Sequence, residues 1–283
     1  MTPTSHRVLS KNPRGFHRLH YLQWGESQNP KVLFCVHGLA RNARDFDALA
    51  AALAHRYRVI CPDVAGRGES DWLADPADYH YGQYLTDATV VLAHSRAETV
   101  AWLGTSMGGL LGMMMAAQPQ SPIERLVLND VGPWIPQAAL ERIADYLAPR
   151  PTFADLNAVE AHLRRTMTTF GRLTDGQWRH LARHGVHRQG DRYVLHWDPK
   201  ILDSFVDAID GDVDLWAVWD AVTCPALVVR GAESDVLPQT VAAEMTQRGP
   251  RATGHEVSGV GHAPLLMDEA QWAPVEQWLA AGL

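Results

Sequence analysis

The spacing of apolar residues changes character along this chain. Residues 6–10 and 16–24 read as two strands, and Asn12-Pro13-Arg14-Gly15 between them has turn chemistry, which predicts a hairpin. Residues 32–36, Val-Leu-Phe-Cys-Val, form a continuous apolar run, as expected of a strand covered on both faces. Helical spacing follows over 45–55 (Phe46, Leu49, Leu53), then a strand at 58–61. The alternation continues with a helix at 79–96, a strand at 99–103 and a helix at 108–118 that Pro119 stops. After a strand at 126–129 it resumes with a strand at 226–230, a helix at 238–248, a strand at 255–258 and a last helix at 274–279. Alternating strands and helices predict an α/β fold, a parallel sheet with helices on both faces.

One stretch breaks this rhythm. Residues 131–222 are rich in helix formers, Arg, His and Trp, with Pro133, Pro136, Pro149 and Pro151 as punctuation. They predict a helical cap inserted over the carboxyl ends of the strands, where open α/β sheets bind ligands. Residues 1–130 and 223–283 then form the core. A length of 283 residues is compatible with one such domain. The net charge of −7 argues against a non-specific nucleic-acid binder. No run approaches the roughly 18 apolar residues of a membrane span, and residues 1–20 lack the apolar stretch of a signal peptide. Cys35, Cys61 and Cys224 sit in or beside apolar runs and read as reduced thiols, so a cytoplasmic protein is expected.

The candidate chemistry begins at Gly104-Thr105-Ser106-Met107-Gly108. A bare Gly-x-Ser-x-Gly match arises by chance in about one chain in ten of this length. Here an apolar strand enters the motif and an apolar helix leaves it, the context a nucleophile elbow requires. Glycines two residues either side of Ser106 remove side chains that would collide across so sharp a turn. Ser106 is therefore the expected nucleophile.

A serine hydroxyl needs a base. Of fourteen histidines, His262 stands in Gly259-Val260-Gly261-His262-Ala263-Pro264, between the last strand and the last helix. The chain order Ser, acid, His puts the base there. The acid is expected at Asp235, after the strand at 226–230; Glu233 and Asp130 are the alternatives, Asp130 directly following the strand that ends at Asn129. The oxyanion donors are expected to be the backbone N–H groups of Met107 and of Leu39, which follows His37-Gly38 at the end of the strand 32–36.

Together these residues resemble the α/β-hydrolase superfamily, in its cap-bearing branch of esterases, lactonases and carbon–carbon bond hydrolases. Pro62-Asp63-Val64-Ala65-Gly66-Arg67-Gly68-Glu69-Ser70 adds to the likeness, matching the family's Asp-x-x-Gly-x-Gly-x-Ser loop. The resemblance implies an eight-stranded, mostly parallel sheet with the cap after strand 6, structural roles for Asp63 and Arg67, and no cofactor. Ser106 excludes the branches with an aspartate nucleophile, and Leu39-Ala40 excludes the His-Gly-Gly-Gly lipases.

Other signals weigh less. His180, His184 and His187 have no acidic partner at matching spacing, so no metal is expected. Trp134, Arg41 and His196 are candidates for the substrate pocket, and Phe170, Trp178, Trp197 and Trp216 could line it or pack the cap. The expected reaction is hydrolysis of a carboxylic ester of a small molecule through an acyl-enzyme. Carbon–carbon cleavage, with Arg41, Arg164 or Arg165 holding a carboxylate, is the alternative, and a non-enzymatic receptor of the same fold is the third reading.

Overall fold

The computed structural model describes residues 2–281. Eight strands form the main sheet: β1 (Thr4–Asn12), β2 (Gly15–Trp24), β3 (Val32–Val36), β4 (Arg58–Pro62), β5 (Val100–Thr105), β6 (Ile123–Asn129), β7 (Ala226–Gly231) and β8 (Thr253–Val257). Their spatial order is β1-β2-β4-β3-β5-β6-β7-β8. The β1–β2 hairpin closes through Pro13-Arg14, Asn12 pairing with Gly15, and β2 runs antiparallel to β4. From β4 to β8 every pairing is parallel. The α/β-hydrolase fold expected from the sequence is the one observed.

Alternation within the buried strands separates two apolar layers. In β3, Phe34 and Val36 join α2 (Tyr81–Ser95) and α3 (Met107–Ala116) on one face. Leu33 and Cys35 turn to the other face, against α1 (Asp47–Leu53) and the C-terminal helix. Leu49 and Leu53 of α1 are fully buried there, each contributing about 1.5–3 kcal/mol by leaving water. All three cysteines are free, and among the described residues no helix is long and apolar enough to cross a membrane.

Between β6 and β7 lie five helices: α4 (Gln137–Leu147), α5 (Leu156–Thr166), α6 (Asp175–His184), α7 (Lys200–Asp207) and α8 (Trp216–Asp220). This insertion also contains two small antiparallel sheets that helical spacing did not suggest. Val186–Gln189 and Arg192–Leu195 form a hairpin, turned at Gly190 with φ 63°, and Thr152–Phe153 adds to its edge. Trp134–Ile135 pairs with Val213–Asp214. Val159, Leu163, Trp178 and Leu181 give the insertion a small core of its own.

The last two helices are α9 (Gln239–Met245) and α10 (Glu269–Ala280). The sequence placed the start of α10 at Pro274, but it begins five residues earlier, because the Asp268 side chain accepts from Gln271 N at 3.1 Å and caps the first turn. Pro274 costs that helix one backbone bond, while buried Val275 and Leu279 hold it on the sheet.

Candidate active site

Ser106 occupies the turn between β5 and α3 with φ 53° and ψ −119°, a conformation that side chains rarely adopt. Its N–H donates to Asn129 O at 3.0 Å, and its carbonyl accepts from Gly109 N at 2.8 Å, so both ends of the turn are tied. A Cβ at Gly104 would lie 2.1 Å from Gly108 O, and one at Gly108 would lie 2.1 Å from Val36 O. Only glycine fits either position, which is why the pentapeptide reads as it does.

The Ser106 hydroxyl lies 2.9 Å from His262 Nε2. On the other side of the ring, Nδ1–H donates to Asp130 Oδ2 at 2.8 Å. Asp130 is completely buried and stands just past the end of β6 at φ 58°. Its Oδ1 accepts from Gly231 N and its Oδ2 from the Ser234 hydroxyl, both at 2.7 Å. A buried carboxylate needs such partners to remain charged. The His262 loop is clasped by the insertion: Thr169 Oγ1 donates to His262 O at 3.0 Å, and Gly261 N donates to Thr169 O at 2.7 Å.

This corrects the expected acid. Asp235 does not pair with His262; it forms an ion pair with Arg142 at the surface, its Oδ1 accepting from Nη2 at 2.8 Å. The parallel pairing of β6 with β7 sets Asn129 beside Val229, so the residue after β6 meets the loops that follow β7 and β8. Asp130 takes that central place, and Asp235 lies further out.

His37 is buried and neutral. Its Nδ1–H donates to Gly38 O at 2.8 Å, and its Nε2 accepts from Val64 N at 3.0 Å. Burial pushes its pKa down to about 4, against a smaller opposing pull from Asp63. Asp63 joins the same framework, accepting from Ala43 N at 2.7 Å, His20 Nδ1 at 2.7 Å and Glu69 N at 3.0 Å.

Arg67 gains a position that spacing did not reveal. It is fully buried, with Nε donating to Leu39 O at 2.7 Å, Nη1 to Ala65 O at 2.8 Å and to Tyr84 OH at 2.9 Å. Its Nη2 lies 3.6 Å from Met107 Sδ. One guanidinium thus touches both residues whose N–H groups were expected to form the oxyanion hole. Among the described residues, neither of those N–H groups donates a hydrogen bond within the protein.

Ser106 and His262 open onto a cavity of about 280 Å³. Its walls are mostly apolar: Leu39 from the core, Ile143, Tyr146 and Leu147 from α4, then Phe170 and Leu265. Arg41 lines it, as expected. Trp134 and His196 do not: Trp134 sits in the small strand pair against Asp214, and His196 faces a separate cleft, 3.7 Å from Glu69. Side-chain direction decides both cases, and an irregular insertion has no period from which to read it. Trp178 and Trp197 are buried packing residues, and Trp216 lies under the Arg248 guanidinium. Arg164 is tied to Glu160 and Asp175, and neither it nor Arg165 reaches the cavity.

The acidic partner that spacing denied the histidines does exist. Asp47 of α1 gathers with His180 and His184 of α6, close enough for the three to share a metal ion. Arg44 already fills the group, with Nη2 2.5 Å from Asp47 Oδ2 and 3.5 Å from His184 Nε2. Burial, then the charge of Arg44, lowers the His184 pKa to about 4. His187 lies elsewhere, with its ring against Trp72 and His196.

Known proteins share this architecture. A family model described as the alpha/beta hydrolase fold matches residues 31–269. The 3-hydroxybutyrate-oligomer hydrolase of Cupriavidus necator is 45% identical over 276 residues, covering 94% of each chain. Esterase Rv0045c of Mycobacterium tuberculosis is 30% identical over 254 residues, covering 86% of this chain and 79% of its own. The crystal structure of an α/β hydrolase from Novosphingobium aromaticivorans superposes with a TM-score of 0.88 at 35% identity, covering 99% of both chains. With that match spanning most of its length, the chain belongs to the α/β-hydrolase family, and it is a hydrolase.

Proposed function

We propose that this protein is a serine esterase that cleaves short oligoesters of a small hydroxy acid, of the 3-hydroxybutyrate kind. The observation that carries the reading is the unbroken chain of hydrogen bonds from Ser106 through His262 to Asp130, at 2.9 and 2.8 Å, on the wall of an apolar cavity. His262 Nε2 takes the Ser106 proton as the oxygen attacks the ester carbonyl, and Asp130 stabilises the imidazolium while holding its tautomer. The Leu39 and Met107 N–H groups receive the oxyanion, and Met107 adds the positive end of α3. The alcohol leaves with the proton from His262. Water, deprotonated by the same ring, then hydrolyses the acyl-enzyme and regenerates Ser106.

The substrate class is supported by the 45% identity to the Cupriavidus enzyme over nearly the full chain. A cavity of about 280 Å³, just below the ~300–1,000 Å³ of most small-molecule sites, suits a small substrate. Residues 131–222 serve as the cap in this reading: α4 and Thr168–Phe170 wall the cavity, so exchanges there would change which acyl chains enter. The test is monomer release from the dimer and trimer of 3-hydroxybutyrate, with nitrophenyl esters and a coloured dienoate alongside. Turnover of the oligomers that Ser106→Ala abolishes, with the dienoate untouched, is the expected result. Nitrophenyl ester turnover without oligomer cleavage would move the substrate class, and dienoate cleavage would move the reaction.

A further inference from the structure

Resting on the ester-hydrolase reading above, we infer that Arg41 is the receptor for a free carboxylate on the substrate, held a few bonds from the scissile ester. Arg41 closes the turn that follows β3, its N–H donating to Gly38 O at 3.2 Å. Arg41 Cγ and Ser106 Cβ flank Gly38, 3.8 and 3.6 Å from where a side chain there would begin. Arg41, its partner Asp45 and Ser106 all line the same cavity, whose walls are otherwise mostly apolar.

Its fork is only half used. Nε donates to Asp45 Oδ2 at 2.8 Å and Nη2 to Asp45 Oδ1 at 2.6 Å, so one edge of the guanidinium is fixed. Nη1 and the second N–H of Nη2 donate to no group among the described residues, although the side chain is only 16% exposed. These donors are not among the buried unpaired atoms, so they face the open space of the cavity, where a planar carboxylate matches the free edge in bidentate fashion. Asp45 locks the plane in place beforehand, which lowers the ordering cost of binding. Arg142, at the rim and paired with Asp235, is the other cation lining the cavity.

The chemistry of the proposed substrate supplies the carboxylate. An oligomer of a hydroxy acid ends in one, and in the dimer it is borne by the alcohol that leaves, so Arg41 would favour cleavage at that end of short oligomers.

The experiment compares kcat/KM for 3-hydroxybutyrate dimer with that for its terminal carboxamide, which keeps the shape and loses the charge. Wild type is expected to prefer the acid about ten- to a hundredfold, mainly through KM. Arg41→Gln should bring that ratio to about one, and Arg41→Lys, which keeps the charge without the fork, should leave it intermediate. Each ratio is taken within one protein, so altered folding or yield does not enter it. A wild type that treats acid and amide alike, or a ratio unmoved in both variants, overturns the assignment. If no dimer is cleaved, the hydroxy-acid reading has failed. The Arg41 assignment is then judged by the same ratio on 4-acetoxy-3-nitrobenzoate and its carboxamide, an activated ester whose charge is likewise on the leaving alcohol.

Discussion

Asp130 Oδ2 lies 2.8 Å from His262 Nδ1, held there by a backbone turned to φ 58° and by bonds from Gly231 N and Ser234 Oγ. Asp235, next in the chain to Ser234, points instead to Arg142 and stands 45% exposed. Adjacent positions thus have separate contacts: Ser234 braces Asp130, and Asp235 closes a surface ion pair.

Replacing the two aspartates should separate them sharply. Asp130→Asn is expected to lower kcat for ester hydrolysis on the order of 10⁴-fold, since the amide presents the wrong group to Nδ1. Asp235→Asn removes an exposed ion pair of about 0–1 kcal/mol and should leave kcat within a few-fold. Steady-state kinetics on a nitrophenyl ester checks both, and a larger loss at Asp235 would contradict the geometry.

In the proposed mechanism Arg67 would act through Leu39 and not on the substrate. Arg67→Met would free Leu39 O and loosen the loop that holds the Leu39 N–H in place, so kcat should fall about a hundredfold with KM little changed. Arg67→Lys, which keeps the charge but not the fork, should recover part of the loss. Equal changes in kcat and KM, or a variant merely less stable at full kcat, would assign Arg67 a purely structural role.

Acid should weaken the fold through His37. Its pKa is near 4 when folded, against about 6.5 in an unfolded chain. Between those values the unfolded chain binds a proton that the native state refuses, so stability falls as pH drops from about 6.5 and levels off near 4. The full loss is about 3 kcal/mol. His184, shifted down likewise, adds with the same sign. Urea midpoints at pH 7 and pH 4.5 should show the drop, and His37→Gln should flatten it; a slope unchanged in that variant would assign the acid sensitivity elsewhere.

At the elbow, Gly108→Ala would drive a methyl group to 2.1 Å from Val36 O. Backbone lies on both sides and neither strand nor helix can give way cheaply, so a loss of at least about 2–3 kcal/mol is expected. A urea denaturation curve measures it, and an unshifted midpoint would mean that the β5–α3 turn is looser than its contacts imply.

How much of this was legible beforehand depends on range. The strand-turn-helix around Ser106 and the loop of His262 could be read because their signals are local: apolar runs, glycine spacing and order along the chain. The choice between Asp130 and Asp235 could not, because both follow a strand on the same rim. What separates them is the pairing of β6 with β7 and one left-handed residue. Arg67 was legible as structural, but its reach from the loop after β4 to Leu39 and Met107 depends on packing between distant segments. Asp47 escaped notice beside His180 for the same reason, since the two lie far apart in the chain and meet only where α6 docks on α1. Trp134 and His196 were misplaced because nothing in an irregular insertion says which way a side chain turns.

The central claim is that Ser106 is activated by His262 through Asp130. Its most direct measurement is intact-protein mass spectrometry after exposure to a fluorophosphonate, with the adduct mapped to a residue. Wild type and Asp235→Asn should each take up one adduct on Ser106 quickly, Asp130→Asn should do so far more slowly, and Ser106→Ala should take up none. No adduct on the wild type, or an Asp130→Asn variant labelled as fast as wild type, would contradict it.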